Sequence, residues 1–130
     1  MKRTFAALLI AFIGLAAVSA YGKRRQDLTV AINKESATQG GIKVAFVELV
    51  EDARCPTDVQ CVWAGNAKIK IRVTRSGRSK ILELNTLDRS AVPVYAGYRF
   101  KLKSLTPEPR SNVRINRMAY AATIEISKII

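Results

Sequence analysis

From residue 27 onward the chain alternates apolar and polar positions with period two, the pattern of half-buried strands. Leu28, Val30 and Ile32 open the first run, which continues to a turn at Ala37-Thr38-Gln39-Gly40-Gly41. Ile42, Val44 and Phe46 resume the alternation. The opposite face of this second strand carries Ala45, Val47 and Leu49, so it is expected to be covered on both sides. Residues 52–66 break the pattern. Ala67, Ile69, Ile71 and Val73 then alternate with Lys68, Lys70, Arg72 and Thr74, the clearest strand in the chain. Ser76-Gly77-Arg78 predicts a hairpin turn, with residues 80–85 as the returning partner. Thr86 to Gly97 reads as a loop with a short edge strand near Val92 to Tyr95. Tyr98, Phe100 and Leu102 alternate with Arg99, Lys101 and Lys103 until Pro107-Glu108-Pro109 ends the strand. The last run, Met118 to Ile129, places Tyr120, Ala122, Ile124 and Ile126 on one face.

No helical period persists for three turns. Six or seven strands joined by short turns predict an all-β domain, an antiparallel β-sandwich, with a small β-barrel as the alternative. Its core is expected to draw on Val30, Ile32, Val44, Phe46, Ile69, Ile71, Val73, Phe100, Leu102, Ile124 and Ile126.

Residues 1–20 follow a different rule. Lys2 and Arg3 precede an uncharged apolar stretch from Phe5 to Val18, and Val18-Ser19-Ala20 is a small-residue cleavage site. This is a secretory signal peptide of bacterial appearance, cut after Ala20, and it predicts a periplasmic or secreted protein. The alternative is an uncleaved anchor, since Thr4 to Gly22 is charge-free and Lys23-Arg24-Arg25 follows at once. Residues 21–26 form a basic arm, and 27–130 a single domain.

Charge is the next constraint. The 130 residues carry 22 Lys and Arg against 10 Asp and Glu, a net charge of +12. Loss of residues 1–20 removes two cations and leaves +10. Histidine is absent, which excludes Ser-His and Cys-His catalysis and His-ligated zinc. Glu48, Glu51, Asp52 and Asp58 are the clustered carboxylates, and neighbouring acids at a loop mouth do not make a facing acid–base pair. The chain therefore reads as a non-enzymatic monomer, with no cofactor or metal expected.

Two features could carry function. Cys55 and Cys61, six positions apart in an exported chain with no other cysteine, are expected to form a disulfide. Trp63 is expected to pack over it and plug one end of the sandwich, and Gly65 to supply backbone freedom at the next strand. The segment Asp52-Ala53-Arg54-Cys55-Pro56, four further residues, then Cys61-Val62-Trp63-Ala64-Gly65 resembles a signature found in small secreted bacterial proteins, whose usual form has Ser in place of Ala53. That resemblance implies a stapled β domain, and it brings no assigned activity and no catalytic residues.

The second feature is strand charge. Lys68, Lys70 and Arg72 share one strand face, as do Arg99, Lys101 and Lys103. If both strands lie in one sheet, its outer face would attract anionic polymers or anionic lipid surfaces. Aromatic residues fall on the opposite parity to these cations, so nucleic acid is not an expected partner. Two readings follow: an envelope module held to anionic polymers or surfaces by the basic face, and a protein-binding or inhibitor module acting through the loop 55–61. The first should collapse in high salt and the second should persist.

Overall fold

In the computed structural model, residues 25–38, 40–87 and 92–129 are described. The predicted signal peptide, residues 1–20, and residues 21–24 of the predicted arm lie outside them. Among the described residues, eight strands form two four-stranded antiparallel sheets. They are β1 (Arg25–Ala31), β2 (Glu35–Ala37), β3 (Lys43–Asp52), β4 (Ala67–Arg75), β5 (Arg78–Asn85), β6 (Val94–Tyr95), β7 (Tyr98–Thr106) and β8 (Ala121–Lys128). One sheet has the order β1-β8-β7-β6 and the other β2-β3-β4-β5. The inward rows of both meet in one apolar core in which Phe46, Ile69, Ile71, Phe100 and Ile124 are fully buried. Every residue expected in the core is buried.

Three departures from simple alternation shape the domain. The first predicted strand is two, because the chain leaves one sheet for the other at Asn33. This residue has a φ of 62°, a left-handed conformation that asparagine tolerates. Its N–H donates to the Phe46 carbonyl at 2.8 Å, and Glu35–Ala37 then pairs with β3. The second departure is in β3, whose register against β4 shifts between Phe46 and Glu48 and again between Leu49 and Glu51. Val47 and Val50 are the extra residues of two bulges, the first of which moves Leu49 into the inward row behind Phe46 and the second of which places Asp52 opposite Ala67. Apolar residues on both faces of β3 thus record largely a switch of parity. The third is a shift between Leu102 and Ser104 of β7, which brings Leu105 into the core.

At the β4–β5 hairpin, Ser76 and Gly77 both have positive φ (52° and 76°), the two-residue turn that suits the right-handed strand twist. The predicted last strand starts later than expected. Arg117–Ala119 is a single 3-10 turn capped by Asn116, whose side chain accepts from the Met118 N–H, and β8 begins beyond it.

Candidate functional site

The β3–β4 connection, residues 53–66, rises from a tight neck. The Ala53 N–H donates to the Asn66 carbonyl at 2.8 Å. Gly65 crosses this neck so closely that a Cβ there would lie 1.8 Å from the Ala53 carbonyl oxygen. Glycine is required by proximity, a stronger constraint than the expected backbone freedom. Asn66 fastens the neck to the end of β5. Its amide donates to the Asn85 side-chain oxygen at 3.0 Å, and its own oxygen accepts from the Thr86 hydroxyl and the Leu87 N–H.

Asp52 and Arg54 clamp the two sheets together beneath the loop. Arg54 Nε lies 2.7 Å from Asp52 Oδ1, and the two side chains are only 13% and 10% exposed. The guanidinium also donates to the Leu105 carbonyl at 2.5 Å and to the Pro107 carbonyl at 2.9 Å, reaching groups at the end of β7 in the facing sheet. Asp52 accepts from the Tyr120 hydroxyl at 2.7 Å, a second link across the sandwich. The Arg54 guanidinium holds the Asp52 carboxyl below its usual value, with the Tyr120 hydrogen bond adding to the effect and burial opposing it. Burial, together with the hydrogen bond to Asp52, pushes the Tyr120 hydroxyl up to about 12.

Cys55 and Cys61 are disulfide-bonded, with Cα atoms 6.0 Å apart. The staple has a second support outside the ring. Thr57 N–H donates to the Pro109 carbonyl at 2.9 Å, and Ser111 donates to the Asp58 carboxylate through its N–H at 2.8 Å and through its hydroxyl. These Ser111 bonds hold the exposed Asp58 carboxyl below its usual value. Within the ring, the Val59 N–H turns back to the Pro56 carbonyl. On the chain-entropy view, replacing both cysteines by alanine should lower stability by about 2 kcal/mol. Urea denaturation of the double variant checks it, and the Thr57 and Asp58 contacts should keep the variant folded.

Trp63 is not where the sequence placed it. The side chain is 83% exposed, and Val62 beside it is 92% exposed. The end of the sandwich it was expected to plug is closed by Tyr120 and Leu105, both buried, with the Asp52–Arg54 pair above them. That leaves Trp63 no apolar pocket to enter. Val59, also exposed, belongs to the same stapled segment. The sequence signal for this surface is modest: Val62 next to Trp63, and Val59 four positions before it, in a loop without strand alternation.

The six strand cations do not form one surface. Lys68, Lys70 and Arg72 are on β4, and Arg99, Lys101 and Lys103 on β7, in opposite sheets of the sandwich. The condition for a single basic face is therefore unmet. Acids on strands of the same sheet also oppose most of them. Lys68 lies 3.6 Å from Glu83, Lys70 3.9 Å from Glu48, and Lys103 2.6 Å from Asp27. Lys101 is registered opposite Glu125. Asp27 raises the pKa of Lys103, as a close ion pair must.

Among the described residues no group of His, Cys, Asp or Glu is arranged to hold a metal ion, and no helix is long and apolar enough to cross a membrane. No family model matches the chain, and no match was found among curated proteins or solved structures.

Proposed function

We propose that this is an exported, non-enzymatic binding module that engages a protein partner through the disulfide-stapled loop, with Trp63 and Val62 as its anchors. The exposure of Trp63 carries the reading. Asp52, Arg54, the cysteines and Gly65 each hold the loop in shape, whereas Trp63 projects from it into water. Exposing an indole on a rigid loop gains nothing for folding and favours association. Tryptophan is enriched among residues that dominate binding energies, and a preordered loop loses less entropy on binding. Export is supported by the apolar leader with its cleavage site and by the bonded cysteine pair, which suits an oxidising compartment. One form of such a module is an inhibitor whose loop enters the cleft of a secreted enzyme.

Trp63→Ala separates binding from folding. Its stability should stay within about 0.5 kcal/mol of wild type, because the side chain has little packing to lose. Affinity for the partner should fall by about 30-fold or more if Trp63 is a hot spot. Pull-down from periplasmic or culture-supernatant extract, at low and high salt, provides the readout. A partner kept by wild type in high salt and lost by Trp63→Ala supports the loop reading. A partner retained equally by both overturns it.

A further inference from the structure

We infer that the hairpin end of the sandwich, opposite the stapled loop, is a docking surface for an anionic lipid bilayer. The strand registers bring Arg25, Lys43, Arg75, Arg78, Lys80, Arg99 and Lys128 to this one end. Arg25 pairs with Ser127, Lys128 with Tyr98, Lys43 with Thr74, and Arg75 with Arg78. The two sheets are joined here by Arg75, which donates to the Ala96 carbonyl at 2.7 Å and lies 5.2 Å over the Tyr98 ring. Arg75, Arg78, Lys80 and Lys128 occupy the inward-facing rows of their strands, just past the last apolar residue of each. The core is thus capped at this end by cations.

Acids are displaced from that cap. The nearest ones among the described residues are Asp27, Glu35, Glu48, Glu83 and Glu125, each at least two residues deeper, with Glu35 facing Ala45 on β3. Three are already paired, with Lys103, Lys70 and Lys68, and Glu125 faces Lys101. The mid-strand lysines therefore offset four of these acids, and among the described residues none of the end cations forms an ion pair.

Two observations favour a bilayer over a linear polyanion. The cations come from six strands of both sheets and surround one end, which matches a planar array of headgroups better than a track along a groove. Tyr95 and Tyr98, registered opposite each other among them, are half-buried aromatics of the kind enriched at headgroup depth. Each cation near an anionic leaflet adds to attraction that decays within a Debye length.

The test is co-sedimentation of the exported protein with vesicles of phosphatidylcholine alone or mixed with phosphatidylglycerol. Binding should require phosphatidylglycerol and disappear in high salt. Arg78→Glu/Lys128→Glu should weaken it at least tenfold, whereas Arg110→Glu/Arg114→Glu, an equal charge change on the loop 107–116, should weaken it less than threefold. Lys43→Glu, a third exposed cation at the hairpin end, should also weaken it. Trp63, the single tryptophan, sits at the other end and should keep its emission and its quenching on vesicle binding. Failure to bind phosphatidylglycerol vesicles in low salt, equal loss in both double variants, or shielding of Trp63 would overturn the assignment. So would retention on heparin or nucleic acid without vesicle binding. The Trp63→Ala pull-down is independent of every one of these outcomes.

Discussion

Gly65→Ala should be among the most damaging single-methyl changes available in this protein, lowering stability by about 3 kcal/mol or more. The added Cβ would sit 1.8 Å from the Ala53 oxygen and 2.7 Å from Arg54 Cα, both backbone atoms. No side-chain rotation relieves such a clash. The neck must open, which stretches the Ala53–Asn66 hydrogen bond and shifts Arg54 away from the β7 carbonyls. Gly77→Ala offers the contrast. There the φ of 76° is unfavourable for alanine, but nothing lies within 4 Å, so a loss of about 1 kcal/mol is expected. Urea denaturation of the two variants should separate a packing requirement from a conformational one.

Arg54→Met should come next, at about 3 kcal/mol. It removes the donors to Leu105 and Pro107 and leaves the largely buried Asp52 carboxylate without its cation. Asp52→Asn/Arg54→Met should be less damaging than the sum of its parts, because the isolated charge disappears with its partner. pH distinguishes this account from simple loss of packing. The folded pKa of Asp52 lies below the unfolded value of 3.8, so its contribution is present above that value and is lost as pH falls through the lower folded one. In Arg54→Met the carboxyl loses its main stabilising partner, and the gap from wild type should narrow in acid. Tyr120 acts at the other extreme. Its folded pKa of about 12 exceeds the ordinary 10.0, so its stabilising contribution is complete below pH 10.0 and is lost as pH rises through about 12. Tyr120→Phe should abolish that alkaline loss while weakening the clamp at neutral pH.

The strands were legible because alternation over β4, β8 and the first half of β7 is nearly unbroken, and each places its apolar residues in a single row. Bulges hid the rest. An extra residue such as Val47 makes a one-sided strand look two-sided, and the compensating partner on β4 is distant in sequence. The passage between sheets at Asn33 left a trace in the sequence, since Lys34 occupies the position where the inward row after Ile32 would need an apolar residue.

The cysteine staple was legible from spacing, but the position of Trp63 was not. Its place at the sandwich end is taken by Tyr120, 57 positions away in sequence, and by Arg54 bonding to carbonyls on β7. No local pattern encodes that competition. The hairpin-end cations were hidden for a different reason. Counting faces along single strands picks out Lys68, Lys70 and Arg72, whereas the unopposed charge gathers where strands from both sheets terminate. A hint was present, because the inward parity of Ala67 to Val73 extends to Arg75, a cation in a core row.

Folding holds Trp63 in water on a stapled loop, where we propose that it contacts a partner. Acrylamide quenching of its fluorescence tests this directly, since it is the only tryptophan in the chain. The account predicts an emission maximum and quenching in the folded, disulfide-bonded protein close to those of the urea-unfolded chain. A blue-shifted indole protected from acrylamide in the folded protein, in the absence of any partner, would contradict it.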